Sequence, residues 1–333
     1  MGRVALVTSY PYGVGDPAPL RLLESAGFAV RLSPYQRKHT SAETAALLAE
    51  GADVLLAGTE PLPEATIAAG GARLAHIARV GVGLDGLDLA ACMRRGIAVT
   101  YTPEAPARSV VEEVFGMLFA LSRRLVEAHE GLRRGQWNRL VGPLWQGRTL
   151  GVLGCGRIGR QVAEIARAFG MRVLAHDLVE DPVWAARHGV RYVGLDELLA
   201  ASDALSVHLP LTRRTDGLLS RARLAAMKRG AYLINTSRGE IVDEEALADL
   251  LQSGHLAGAA LDVYREEPYR GPLIALPNVF LCCHQGSCSF EGRLAMELQA
   301  AENAVAYARG EPIPRERIVW LPGMAAPAVG WED

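Results

Sequence analysis

The chain has 333 residues, half of them hydrophobic and 22% charged, with Lys plus Arg (35) almost balancing Asp plus Glu (37). That is an ordinary globular composition, long enough for two domains, and a formal charge of −2 gives no electrostatic reason to expect nucleic acid or an acidic membrane as a partner. Five scattered cysteines do not read as a disulfide framework, no apolar run approaches the ~18 residues of a membrane span, and the opening MGRVALVTSYPYG lacks a signal-peptide layout. A cytoplasmic protein with a small-molecule partner is expected.

Apolar runs alternate with helical patterns almost from end to end, which predicts an α/β protein. Val4–Thr8, Ala29–Leu32, Val54–Ala57, Ala75–Val80 and Ile97–Thr102 read as strands, separated by helical stretches near Pro19–Ser25, Ala42–Glu50, Glu64–Ala69 and Leu87–Arg95. They predict a first doubly wound, flavodoxin-like domain of five parallel strands. From Ala107 to Arg134, Val110, Val114, Met117, Leu118 and Leu121 recur at helical spacing with no turn chemistry between them, so this segment reads as a single helix linking two domains.

The segment Thr149–Asp177 then carries the pattern of a dinucleotide-binding βαβ unit. Leu150–Leu153 suits a buried parallel strand. Gly154, Gly156 and Gly159 form Gly-x-Gly-x-x-Gly: the first allows a tight turn, the second lets a pyrophosphate approach the backbone, and the third lets helix and strand pack closely. Val162, Ile165, Ala166 and Phe169 keep helical spacing, Gly170 can end the helix, and Val173–Ala175 begins the next strand. Asp177 stands where a ribose 2′-hydroxyl would need an acceptor. Its charge would repel a 2′-phosphate and Leu178, Val179 and Glu180 offer no cation, so NAD is expected rather than NADP.

Five more strands follow, at Val190–Val193, Ala204–Leu209, Ala231–Asn235, Leu256–Val263 and Asn278–Cys283, completing a Rossmann domain. The helical stretch Phe290–Ala308 comes after that sheet is full and is expected to cross back to the first domain, with a Pro-rich, irregular tail from Gly310 onward. The division expected is residues 1–103 with 287–333 for one domain and 104–286 for the other, with a ligand cleft between them.

Three polar residues stand at or just past late strands: Arg238 after LINTS, Glu267 within LDVYREEP and His284 after NVFLCC. Ligands of open α/β sheets gather at such strand ends, and an arginine, a carboxylate and a histidine together suit an anionic substrate and proton transfer. With RVGVGLDGLDL (79–89), VLGCGRIGR (152–160), VHLPLT (207–212) and LINTSRGEIVDEEAL (233–247) in the same order, the chain from about Val54 to Arg309 resembles the NAD-dependent D-isomer-specific 2-hydroxyacid dehydrogenase family. That family includes 3-phosphoglycerate, D-lactate, formate and phosphite dehydrogenases and glyoxylate reductases.

The resemblance implies a substrate-binding domain and an NAD-binding domain, with hydride transfer between nicotinamide and C2 of a small 2-hydroxy or 2-oxo acid, reduction being the expected direction. By the same resemblance Arg238 would grip the substrate carboxylate and reacting carbonyl, His284 would be acid and base, and Glu267 would bond His284 and favour its protonated form, while Glu266 stays solvated. Val82 and Gly83 would offer N–H groups to the carboxylate, and Asp262 would lie near the nicotinamide carboxamide. Arg157, Ile158, His208, Leu209, Pro210, Thr215, Thr236, Ser237 and Gly286 match further cofactor contacts.

The pattern also breaks. Cys282 and Cys283 stand where the family has Thr-Pro before the histidine, and Gln285 replaces an aliphatic residue. Pro103–Pro106 lacks the family's substrate-facing amide, which leaves Arg108 and the loop Tyr10–Gly13 as candidates for other contacts, Arg108 for an anionic (phospho or phosphono) end of the substrate. Cys282, Cys283, His284 and Cys288 invite a zinc reading, but adjacent residues of a strand face opposite ways and a second Cys-x-x-Cys is missing, so no metal is expected. Formate or phosphite oxidation, and an NAD-sensing interaction protein similar to the C-terminal-binding-protein corepressors, are the alternatives. The chain ends soon after the returning helix, so no regulatory C-terminal domain is expected. A homodimer contacting through the apolar helix Val110–Leu125 is.

Overall fold

The computed structural model describes residues Gly2–Pro327 and falls into two compact units, Met1–Ala107 with Cys288–Glu332, and Arg108–Ser287 with Asp333. In the first unit the order is β1 (Arg3–Val7), α1 (Ala18–Ser25), β2 (Phe28–Leu32), α2 (Ser41–Ala49), β3 (Val54–Ala57), α3 (Glu64–Ala69), β4 (His76–Arg79), α4 (Leu89–Arg94) and β5 (Ala98–Thr100). The second contains α5 (Ala107–Ser122), α6 (Leu125–Arg133), β6 (Thr149–Leu153), α7 (Arg157–Ala168), β7 (Arg172–His176), α8 (Pro182–His188), β8 (Val190–Tyr192), α9 (Leu195–Ala201), β9 (Ala204–Val207), α10 (Arg221–Ala225), β10 (Tyr232–Asn235), α11 (Glu244–Gln252), β11 (Gly258–Leu261) and β12 (Val279–Leu281). The chain then returns to the first unit with α12 (Phe290–Arg309) and β13 (Ile318–Trp320).

The first sheet runs β13-β5-β4-β3-β1-β2. Its parallel part has the flavodoxin-like order, and α12 covers one face by burying Met296, Ala300, Ala301 and Ala304 among Val7, Val54, Leu56 and Ala78. The sheet is not all-parallel as expected. The tail read as irregular contains β13, which pairs antiparallel with β5. Pro312 and Pro314 precede this strand rather than interrupt it, and Val319 and Trp320 are buried, so the segment gains enough apolar contact to cap the sheet edge. The last part of that tail, 328–333, lies outside the described residues.

The second sheet, β12-β11-β10-β9-β6-β7-β8, is parallel throughout, with its switch point between β6 and β9. Every residue of β6 is buried, which explains its unbroken apolar run. The segment read as one linking helix is two helices, α5 and α6, parted at Arg124, whose φ is 52°. The cause is tertiary. Trp145 Nε1 donates to Ser122 Oγ at 2.9 Å, and a Cβ on Gly142 would lie 2.2 Å from the Ser122 carbonyl oxygen, so a later segment crosses the end of α5. The apolar stripe of α5, expected to meet a second chain, is consumed at home: Val111, Val114, Phe115, Met117 and Leu118 pack with Leu150, Val152 and Ala204. No helix among the described residues is long and apolar enough to cross a membrane.

Candidate active site

The glycine turn after β6 shows why three positions exclude side chains or leave them room. Gly154 has φ +93°, and a Cβ there would stand 2.8 Å from the His208 carbonyl carbon and oxygen, where the loop after β9 presses against the turn. A Cβ on Gly159 would fall 2.0 Å from the Gly154 carbonyl oxygen, so helix α7 can approach the turn only as glycine. At Gly156 the same construction meets nothing within 4 Å. Gly156 is also the N-cap of α7 and offers no side-chain cap, which leaves the first N–H groups of the helix for an anion. Arg157 is exposed and Ile158 half-buried at that helix start.

Asp177, just past β7, is fixed at the mouth of the turn. Its carboxylate accepts from the Cys155 N–H at 2.6 Å and the Val179 N–H at 3.1 Å. Past β9, His208 Nε2 meets Ser206 Oγ at 2.8 Å, with Leu209 half-buried and Pro210 exposed beyond it. Thr215 is spent locally: its hydroxyl donates to the Pro210 carbonyl at 2.7 Å and accepts from Thr212 N–H at 2.8 Å. Thr236 is the opposite case, with a buried Oγ1 that has no hydrogen-bond partner. An orphaned hydroxyl, an uncapped helix start and an open glycine fit a dinucleotide.

Arg238, Glu267 and His284 stand past the ends of β10, β11 and β12, three neighbouring strands of the parallel sheet. Asn235 organises the first loop, its amide donating to the Arg238 carbonyl at 2.8 Å while Oδ1 accepts from the N–H and hydroxyl of Ser237. Arg238 Nη1 donates to the Ser237 carbonyl at 2.6 Å. A Cβ on Gly239 would lie 1.9 Å from the Tyr264 carbonyl carbon, so this loop seats directly on the next. His284 Nδ1 is 3.0 Å from both Glu267 oxygens, and His284 has a φ of 55°. That left-handed backbone is uncommon outside glycine and is held here by the His284 N–H bond to the Asp262 carbonyl, 2.8 Å. Glu266 is exposed.

Asp262 is 1% exposed, and its carboxylate accepts from the N–H groups of Gln285 and Gly286, each at 2.8 Å. Burial above all raises its pKa from the usual carboxylate range. Facing it is Glu113 of α5, a residue that sequence reasoning missed because it sits beside the apolar stripe and not on it. Glu113, Asp262 and Cys282 bring their ligating atoms within 4.8 Å of one another, a group that shares only Cys282 with the zinc set weighed from sequence. Cys283 and Cys288 are exposed.

In the first unit, Gly81 (φ +138°) is pinned by Thr102, whose hydroxyl accepts from the Gly81 N–H at 2.8 Å. Arg79 Nε donates to the Gly83 carbonyl at 2.9 Å, while the N–H groups of Val82 and Gly83 have no hydrogen-bond partner among the described residues. Arg108 is largely exposed and its Nε donates to Glu112 at 3.2 Å. The Tyr10–Gly13 loop is tied to α12: Arg293 donates to Ser9 Oγ (2.8 Å) and the Pro11 carbonyl, and Glu297 accepts from the Gly13 N–H at 2.7 Å.

Residues 115–286 match the family described as D-isomer specific 2-hydroxyacid dehydrogenase, NAD binding domain. The chain is 43% identical over 253 residues to a glyoxylate reductase of Aeropyrum pernix, covering 73% of this chain and 76% of that one. A crystal structure of a glyoxylate reductase from Paecilomyes thermophila superposes with a TM-score of 0.82 at 30% identity, covering 93% of this chain and 97% of that one. A D-lactate dehydrogenase from Aquifex aeolicus, complexed with NAD and lactic acid, gives 0.81 at 28% identity, with 93% and 96% covered.

Proposed function

Because the chain belongs to the D-isomer-specific 2-hydroxyacid dehydrogenase family, whose members work with NAD, we propose that its substrate is a small 2-oxo acid of the glyoxylate class, reduced at C2 with NADH. NADH, when bound, supplies the hydride. The glycine turn, the start of α7 and the Thr236 hydroxyl would hold the cofactor, with Asp177 at the adenosine ribose.

The observation that carries the reading is the His284–Glu267 bond at adjoining strand ends. Glu267 engages Nδ1, which leaves Nε2 to face the substrate. The bond orients the ring, so that His284 would donate a proton to the oxo oxygen during reduction and take it back during oxidation. Arg238 would bind the substrate carboxylate through its planar fork. In the first unit, the N–H groups of Val82 and Gly83, which have no hydrogen-bond partner among the described residues, suit an anion. Arg108 is largely exposed and donates to Glu112, and an anionic far end forms no part of this proposal.

Nicotinamide absorbance with glyoxylate, hydroxypyruvate, pyruvate, formate and phosphite, each with NADH or NADPH in the reducing direction and the oxidised forms in the other, tests the assignment. Turnover of glyoxylate or hydroxypyruvate with NADH is expected. Tight NADH binding with no turnover of any 2-oxo acid would sink it.

The same proposal makes the enzyme a cytoplasmic homodimer. Cys92, Cys155, Cys282 and Cys283 form no disulfide among the described residues, as a reducing compartment allows. With the α5 stripe buried, a run of exposed apolar residues remains on α6 and the segment after it: Leu125, Val126, Leu132, Trp137 (81%), Val141 (87%) and Leu144. Sedimentation should give a two-chain mass that Trp137→Glu reduces to one. A wild-type monomer at micromolar concentration would remove the dimer from the reading.

A further inference from the structure

Glu113, and its pairing with Asp262 beneath the His284 strap, has no role in the mechanism above. Glu113 reaches from α5 towards Asp262, and Gly286 alone makes the approach possible. A Cβ on Gly286 would lie 2.7 Å from Glu113 Oε2 and 3.2 Å from Asp262 Oδ2, so any side chain there would part the two carboxyls. Both Asp262 oxygens already accept backbone N–H bonds from the strap, and Glu113 Oε2 is buried with no donor directed at it. Two carboxylates with oxygens within 4.8 Å of each other, Asp262 buried and Glu113 half-buried with an unsolvated Oε2, repel; one proton removes that repulsion and also supplies the donor Oε2 lacks.

We propose that Glu113 and Asp262 share one proton, and that this singly charged pair holds the strap Cys282–Gly286 in the conformation that presents His284; Glu113 is therefore a positioning residue for the reaction. The inference rests on the cofactor and His284 assignments made above. Asp262 is the hub. Its carboxylate anchors Gln285 and Gly286, and its carbonyl anchors His284. Burial first, and then the charge of Asp262, push Glu113 up to about 7, so the shared proton is lost near neutrality.

The other titratable groups facing the pair do not replace it. Cys282 is pushed up to about 12, chiefly by burial, and Tyr264, which donates to the Cys282 carbonyl at 2.7 Å, is also raised by burial. Cys283 lies on the exposed side, and His284 is engaged by Glu267. Loss of the proton leaves two negative charges under the strap, and their repulsion falls on the three bonds that Asp262 makes to residues 284–286. The sign follows: the strap is held below the pKa of the pair and loosened above it. Gly286 of the strap is an expected cofactor contact and is held by Asp262, so cofactor affinity should fall as pH rises.

The test is NADH binding by fluorescence titration from about pH 5.5 to 9, on wild type, Glu113→Gln, and both again in a His284→Asn background that removes the imidazole. Wild type should lose about tenfold in affinity across neutrality, and Glu113→Gln should be flat, because a neutral amide preserves the shape and the donor without the second charge. Infrared difference spectra of the same proteins without cofactor should contain a protonated carboxyl band that disappears near pH 7 and is missing from Glu113→Gln. An unchanged alkaline limb in Glu113→Gln, or a band retained in that variant, overturns the proposal. So does a stoichiometric divalent cation in the purified enzyme that Glu113→Gln releases, since a metal would then occupy the proton's place. If no variant binds NADH at any pH, the cofactor reading fails, and the infrared result still decides the shared proton.

Discussion

The turn Gly154–Gly159 and the strap Cys282–Gly286 both follow the carboxyl ends of strands in one parallel sheet and are made in opposite ways. The turn works by leaving side chains out: its limits are a carbonyl oxygen 2.0 Å from a Cβ that cannot exist at Gly159 and a φ of +93° at Gly154. The strap works by side chains holding backbone. Asp262 fixes three consecutive residues, Glu267 fixes the imidazole, and His284 tolerates a left-handed φ because those bonds over-determine it. A site can be preorganised either by steric exclusion, which is local in sequence, or by buried polar bonding, which draws on residues as distant as Glu113.

The contrast breaks cleanly if the two regions are damaged separately. His284→Ala should reduce kcat by about 10³-fold, the usual worth of a positioned general acid, while NADH affinity stays within about threefold. Gly159→Ala should do the reverse. The helix must move off the turn, costing about 1–3 kcal/mol of stability, and NADH affinity should fall about 100-fold, whereas kcat at saturating cofactor should change much less. Stopped-flow binding with steady-state kinetics on the two variants checks both. If Gly159→Ala lowered kcat as much as His284→Ala with binding intact, the division of labour between turn and strap would be wrong.

This difference in construction also sets what the sequence could say. Gly154, Gly156 and Gly159 are legible because backbone sterics act over a few residues, and the apolar runs of β6 and β9 are legible because both faces of the sheet are covered. Arg238, Glu267 and His284 could be grouped from their order and strand-end positions, but the bond between Glu267 and His284 could not be measured. Glu113 was illegible: a glutamate inside a helix of ordinary spacing gives no sign that its carboxyl meets an aspartate about 150 residues later. The break between α5 and α6 failed to show for the same reason, since it is imposed by Gly142 and Trp145, which carry no periodic signal. The β13 strand was hidden by its proline-rich flank, although Ile318, Val319 and Trp320 have strand-forming side chains.

The finest test of the comparison lies within the cofactor side, between Asp177 and Thr215. Both are expected cofactor contacts, but their present bonds differ in kind. Asp177 braces the turn through the Cys155 N–H and keeps an anion at its mouth, so Asp177→Ala should weaken NADH binding by about tenfold, the scale of one charge-assisted bond, and narrow the preference over NADPH. Thr215 spends its hydroxyl on Pro210 and Thr212. Thr215→Val should therefore cost about 1 kcal/mol of stability in denaturant unfolding and leave both cofactor affinities unchanged. A tenfold loss of NADH affinity in Thr215→Val, at unchanged stability, would mean that the loop reorganises on binding and turns this hydroxyl from its own chain to the ligand.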